Sequence, residues 1–464
     1  MSASASPPKA IDLNAAIEER RLGAFGLGLV LVSALVIFFD GYDMQVIAFA
    51  TTRMETVFHV TNAAFGMALG AGLFGTMVGG VLFGVLADRY GRRPAIIGAT
   101  ACFSLLTFAL AFANSLTTLI ILRFIAGMAL GGAIPLLWTL NVEFAPKRLR
   151  ATVITLIMLG YGFGNAFAGP ISTYILPRWD WPGLFVFGGV TSLIAVAILL
   201  AWLPESLRTL ASRQGSQDAI VRILRRMGVE APTDPEAVRI LREGPPTAGK
   251  RGLTLSGLFE GRLRVLTPLI WISYFASSMA VYFLTNWGPT LLRHLGFSTS
   301  GTGWLSFGNS MCGMAGGLLL MRFTDKHGPI SIAVLPLIGV PLLLVAGLAP
   351  TNLTEFLFLS LALTLFVAGG HYGITSVISG FYPSHIRASG SGWANAFAKV
   401  GSILGPVVGG FILDAHLGPR TPYALLAICP LVFGVAAVAM GLIQRRRDLA
   451  ERGAAPVADP LPAE

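Results

Sequence analysis

The chain has 464 residues, 54% of them hydrophobic and only 12% charged, with a mean hydropathy of +0.72. A soluble domain of this size carries about 25% charged residues, so the composition excludes a soluble globular protein and indicates a polytopic membrane protein. The net charge of +10 does not point to nucleic acid, because the basic residues concentrate in alternate loops, as expected for a membrane topology signal.

Residues 1–22 are polar and show no small-residue cleavage site, so the first apolar run is expected to serve as the insertion signal. That run, from about Gly23 to Ala50, carries Phe38-Phe39-Asp40-Gly41-Tyr42-Asp43 in its middle. A charge at the bilayer centre costs roughly 2.5–3.5 kcal/mol on insertion scales, so two carboxylates there need partners or water. Asp40 and Asp43 lie three apart and share a helix face; like charges at that spacing favour protonation of one of them. Such carboxyls suit proton-coupled chemistry, and a fixed salt-bridge partner is the alternative.

A spanning helix needs about 20 mostly apolar residues. Twelve such runs occur in all, centred near residues 36, 75, 104, 128, 163, 193, 277, 310, 340, 367, 401 and 432. Two cations fall inside them. Arg123, in the fourth run, cannot deprotonate and must be paired or solvated; an ion pair with Asp40 or Asp43 is expected. The nearby Gly127, Gly131 and Gly132 suit close helix packing. Lys399 lies in the eleventh run and His371 in the tenth. The three cysteines, Cys102, Cys312 and Cys429, all sit in apolar runs and imply no disulfide framework.

Between the sixth and seventh runs lies a polar stretch with a helix-like Ile-Val-Arg-Ile-Leu-Arg-Arg and a Pro-rich segment. The expected organisation is an N-terminal tail (1–22), a six-helix bundle (23–203), a central linker (204–264), a second six-helix bundle (265–443) and a C-terminal tail (444–464). With the N-terminus inside, cytoplasmic segments hold 27 of the 33 Lys and Arg residues. The outer loops hold four, namely Arg53, Arg178, Arg293 and Arg420. This asymmetry places both termini in the cytoplasm.

An internal repeat is legible. Leu86-Ala87-Asp88-Arg89-Tyr90-Gly91-Arg92-Arg93 after the second run returns as Phe323-Thr324-Asp325-Lys326-His327-Gly328 after the eighth. Asp88 and Asp325 stand 237 residues apart, as do Gly91 and Gly328. Pro146 and Arg150 after the fourth run match Pro383 and Arg387 after the tenth at the same 237-residue offset. One offset shared by distant motifs argues for duplicated six-helix halves in parallel orientation, which place a substrate site near the midplane between them.

With twelve runs, Gly84 followed by the Asp88 loop, and its weaker copy, the chain resembles the major facilitator superfamily along essentially its whole length. Asp40-Gly41-Tyr42-Asp43 is similar to the signature of its aromatic acid:proton symporter branch. Asn286-Trp287-Gly288-Pro289, Phe381-Tyr382-Pro383 through Gly390, and Gly401-Ser402-Ile403-Leu404-Gly405-Pro406 add to the likeness. The branch usually carries Arg where this chain has Lys399, which turns a bidentate carboxylate clamp into a point charge. It usually carries an uncharged residue where this chain has His371.

The resemblance implies an all-α membrane protein of twelve helices in two pseudo-repeats, importing a small aromatic carboxylate with protons. No enzyme activity, cofactor, metal or nucleic-acid partner is expected; a monomer in a bacterial inner membrane is. Asp40, Asp43 and Arg123 are the proton-coupling candidates. Lys399 is the first choice for the substrate carboxylate, with His371 sharing that task or relaying protons; Tyr42, Trp138, Asn309 and Trp393 are expected to line the slot. Further slot candidates are Asn141, Tyr161, Asn165, Tyr274, Tyr282 and Asn395, although most aromatics in membrane helices serve packing or the interfacial belt. Gly84, Asp88, Gly91, Arg92, Glu143, Arg150, Asp325 and Arg387 form a candidate gating network. The rivals are a superfamily transporter of sugars, other organic acids or drugs, and a transporter-like sensor. Leu203-Pro204-Glu205-Ser206 also occurs in sugar porters. Gly405-Pro406-Val407-Val408-Gly409-Gly410, in the eleventh run rather than the fifth, argues against drug export.

Overall fold

The computed structural model describes residues 22–212, 217–228, 255–327, 329–383 and 386–453. Residues 1–21 and 454–464 of the tails, 213–216 and 229–254 of the central stretch, 384–385, and Gly328 of the repeated loop lie outside the described residues. Asp325 is described in its backbone only.

Every regular element among the described residues is helical: α1 (Ala24–Phe58), α2 (Asn62–Tyr90), α3 (Arg92–Leu110), α4 (Leu116–Glu143), α5 (Arg150–Trp202), α6 (Leu207–Ser212), α7 (Gln217–Arg226), α8 (Leu263–His294), α9 (Thr299–His327), α10 (Val334–Leu348), α11 (Leu353–Phe381), α12 (Arg387–Asp414), α13 (Thr421–Leu426) and α14 (Ile428–Gly453). Ten described stretches are long and apolar enough to cross a membrane. α5 holds two crossings: its 53 residues run for about 80 Å at 1.5 Å per residue, against roughly 30 Å of hydrocarbon. Asp180, at φ 52° and ψ −165°, breaks its backbone midway. α9 has the length, 29 residues, but a more polar sequence. Counting both gives the expected twelve spans.

Local chemistry sets the boundaries. The Thr61 hydroxyl accepts from Ala64 N at 3.3 Å to start α2, and the Ser115 hydroxyl from Thr118 N at 3.2 Å to start α4. Asn352 and Glu355 form a reciprocal capping box on α11. Gly91 ends α2 at φ +102°, a conformation that favours glycine.

The chain divides into two compact units. The first comprises Met1–Gly252, Thr285–Ser310 and Pro406–Ala415; the second comprises Leu253–Leu284, Met311–Gly405 and His416–Glu464. In the first, α1 packs along α5 and α2 along α4, with α3 against both α4 and α5. In the second, α10 packs against α11, α13 and α14. A core of Leu266, Ile270, Ile374, Phe433 and Met440 is buried there.

The duplication is visible in contacts as well as letters. Gly164 lies so close to the Phe38 carbonyl that a side chain has no room, and Gly401 lies the same way on Phe275. Gly79 on Met128 recurs as Gly316 on Leu365. Arg150 Nε donates to the Ala145 carbonyl at 3.3 Å, and Arg387 Nε to the Tyr382 carbonyl at 3.5 Å. Both members of each pair advance by 237 residues.

Candidate functional site

Four consecutive residues of α1 meet four different neighbours. Gly41 abuts the Tyr161 backbone of α5 with no space for a side chain. Tyr42 is fully buried; its hydroxyl donates to the Leu184 carbonyl at 3.0 Å and its ring packs on Phe187. Its polar atom is therefore satisfied within the bundle. Asp40, 4% exposed, lines a small pocket with Thr100 and Phe103 of α3 and Leu130, Ala133 and Ile134 of α4.

Asp43 carries the central interaction. Arg123 Nη1 donates to Asp43 Oδ2 at 2.6 Å, with the two side chains 4% and 1% exposed. The Thr107 hydroxyl of α3 donates to Asp43 Oδ1 at 3.3 Å. The structure thus pairs Arg123 with Asp43. On its other side the guanidinium faces Gly72 of α2, and Gly127 and Gly131 of α4 pack on the Gly72 and Thr76 carbonyls, so the glycines serve close packing. A buried ion pair of this kind holds two charges that are each costly alone.

Further along α4, Trp138 Nε1 and Asn141 Oδ1 are buried without a hydrogen-bond partner, while Asn141 Nδ2 donates to Ser33 Oγ at 2.7 Å. Asn165 Oδ1 accepts from the Ser310 hydroxyl at 3.0 Å, next to half-buried Asn309.

In the second unit, His371 of α11 is half-buried and its Nδ1 lies 2.7 Å from Ser277 Oγ of α8, with the Tyr274 ring 5.8 Å away. Lys399 of α12 is half-buried. Trp393 packs into an aromatic group in which Trp271 stacks on Phe397 at 4.3 Å.

The gating candidates of the first unit form a network with two members that the motif did not supply. Arg92 pairs with Glu143, and Ser206 Oγ donates to Glu143 Oε2 at 2.6 Å. Glu205 Oε1 accepts from the backbone N–H groups of Arg92, Arg93 and Ser206 at 3.0, 3.1 and 2.8 Å. A carboxylate on the first N–H groups of α3 is the favoured charge for a helix N-terminus. Gly91 has no side chain because Glu205 occupies that space. Asp88 is exposed, within electrostatic range of Arg92, and Gly84 has open space beside it. Arg150 and Arg387 bond to backbone carbonyls, as described. The residues missed by sequence reasoning are Thr107, Ser277, Glu205 and Ser206. Only Glu205 had a readable signal, an acid between two helices of a basic face. No group of three or more His, Cys, Asp or Glu residues suited to a metal occurs among the described residues.

The chain matches the sequence profile of the Major Facilitator Superfamily over residues 33–259 and 270–462. It is 29% identical to the gallate transporter of Pseudomonas putida, covering 93% of this chain and 95% of that one. It is 30% identical to the 4-hydroxybenzoate transporter PcaK of Pseudomonas aeruginosa, covering 93% and 96%. It is also 30% identical to the 3-(3-hydroxy-phenyl)propionate transporter of Escherichia coli, covering 91% and 94%. Among solved structures, the xylose transporter XylE of E. coli superposes with a TM-score of 0.67 at 18% identity, covering 90% of this chain and 97% of that one. The nucleoside transporter NupG superposes with a TM-score of 0.67 at 15% identity, covering 90% and 99%. Twelve membrane helices in two contact-by-contact repeats, matched by profile, relatives and fold along nearly the whole length, have one reading: the chain belongs to the Major Facilitator Superfamily and is a membrane transporter, not an enzyme.

Proposed function

We propose that this transporter imports a small aromatic carboxylate of the hydroxybenzoate type together with at least one proton, by alternating access. The observation that carries the reading is the buried Asp43–Arg123 ion pair in α1 and α4, a titratable acid held by a cation that cannot titrate. Its support comes from the three relatives, each named for carrying an aromatic acid.

In this reading a proton entering from outside neutralises Asp43, or Asp40 beside it, and frees Arg123. The substrate anion is held by Lys399 and by the His371–Ser277 pair. Its ring is held by apolar and aromatic side chains, with Tyr274, Trp393, Trp138, Asn309 and Tyr42 as candidates. The Asp88 loop, with Arg92, Glu143 and the repeat copies Asp325 and Arg387, controls opening toward the cytoplasm. The two six-helix halves, 23–203 and 265–443, are the moving parts and 204–264 joins them. The protein acts as a monomer in the inner membrane with both termini in the cytoplasm. Each net positive charge that enters with substrate gains about 2.3 kcal/mol per 100 mV of membrane potential.

The test is uptake of labelled 4-hydroxybenzoate into proteoliposomes under an inside-alkaline pH gradient. Accumulation abolished by a protonophore is expected. Absence of uptake, with gallate and benzoate also failing to accumulate, removes the aromatic-acid assignment.

A further inference from the structure

In the first compact unit, segments from the second half of the sequence lie against the first-half helices along two seams, and the 237-residue offset relates them. In one seam Gly66 of α2 abuts the Pro406 carbonyl of α12; in the other Gly303 of α9 abuts Gly169 of α5. Gly66 advanced by the offset is Gly303, and Pro406 moved back by it is Gly169. The seams are therefore exchanged copies of one contact.

Their chemistry differs. The α5–α9 seam is neutral: Phe167 against Phe307 with ring centroids 5.4 Å apart, and the Asn165–Ser310 hydrogen bond. The α2–α12 seam ends in a carboxylate. Asp414 Oδ1 accepts from Asn62 N at 3.0 Å and Asn62 Nδ2 at 2.7 Å, and Oδ2 accepts from Ala63 N at 2.8 Å. The last residue of α12 thus caps the first turn of α2 across 351 residues of chain, where the helix dipole favours an anion. Gly410, one turn earlier, lies on Asn62 and Ala63 with no space for a side chain. In the other seam the residues at the offset positions are Pro177 and Thr299, so no carboxylate stands there, and α9 is capped locally by the Ser298 hydroxyl accepting from Gly301 N at 3.0 Å.

We propose that Asp414 is a one-sided latch on the outer closure: it holds the α2–α12 seam shut through the α2 N-terminus. The α5–α9 seam acts as the plain packing partner. This proposal rests on the alternating-access reading but needs no substrate for its test, so failure of aromatic-acid uptake and failure of the latch are distinguishable.

The experiment uses the full chain with Cys102, Cys312 and Cys429 replaced by alanine and a single reporter, Ser310→Cys, in right-side-out membrane vesicles. Its rate of labelling by a membrane-impermeant maleimide is measured without substrate. Ser310 sits on the α5–α9 seam, so simple fraying of the α2 first turn leaves it silent, whereas opening of the closure exposes it. Asp414→Ala is expected to label about tenfold faster, in line with the loss of an acidic helix cap; Asp414→Asn, which keeps one acceptor oxygen, lies between. An Asp414→Ala rate equal to the parent's, or labelling confined to inside-out vesicles, each overturns the proposal.

Discussion

The two halves of the sequence keep the same helix contacts and differ in what they bury between them. Asp43 and Arg123, the ion pair of α1 and α4, correspond at the 237-residue offset to Ala280 and Ser360, both buried and neither charged. Asp40 and Ile134, which line one pocket of the first unit, correspond to Ser277 and His371, which share a hydrogen bond in the second. Packing is shared between the copies because interiors tolerate little change in volume at close approaches. Side-chain chemistry at the same positions is free to diverge. The comparison teaches that one half buries an ion pair where the other keeps neutral residues, and that the other half places a Ser–His hydrogen bond where the first has an acid and an isoleucine; the proposed function assigns proton coupling to the first and anion binding to the second.

The largest test of that division breaks the pair. Arg123→Ala leaves a buried carboxylate alone, a loss on the order of 3–5 kcal/mol, and gradient-driven uptake is expected to fall by more than about a hundredfold. Adding Asp43→Asn to Arg123→Ala restores much of the thermal stability and none of the uptake. Ser360→Ala, at the neutral counterpart of Arg123, is expected to shift stability by about 1 kcal/mol or less. An equal effect at both positions, read by unfolding of purified protein, sinks the asymmetry.

A second test asks whether packing is shared as claimed. Gly164→Leu and Gly401→Leu overfill the same contact in the two copies, on the Phe38 and Phe275 carbonyls. Each is expected to destabilise by about 1–3 kcal/mol, to a similar extent. A cost at one position only, in thermal melts, means that the copies no longer pack alike.

The smallest effect sharpens the functional split. Ser277→Ala and His371→Gln are expected to raise the substrate KM by roughly two- to tenfold, the worth of one hydrogen bond, with dependence on the pH gradient unchanged. Asp40→Asn is expected to alter gradient dependence and leave KM near the parent value. Uptake kinetics measured with and without an imposed gradient separate these outcomes, and the reverse pattern assigns the two halves the opposite roles.

Much of the molecule is legible in the order of its amino acids. Hydropathy and length give the twelve spans, and the Asp88 and Arg150 loops give the repeat. Asp40, Asp43, Arg123 and Lys399 stand out because charge in an apolar run is costly. Partners are harder to read. Arg123 has two candidate acids at one helix face, and spacing alone does not choose between them. Thr107 is one hydroxyl among many in membrane helices, and nothing in its neighbours marks it as the donor to Asp43. Tyr42 is legible as part of a signature, but its bond to Leu184 is not.

What the sequence by itself determined is the class of molecule, its helices, its duplication and its buried charges, since those follow from the solvation cost of each residue taken with its near neighbours. Only the tertiary structure decided that Arg123 pairs with Asp43, that Glu205 joins the Arg92–Glu143 network, that Ser277 meets His371 and that Asp414 caps α2. These contacts join residues 80 to 352 positions apart in cases such as Arg123–Asp43 and Asp414–Asn62. Their geometry depends on how whole helices cross, and the glycines that let them cross closely show their purpose only once the opposing backbone is in place.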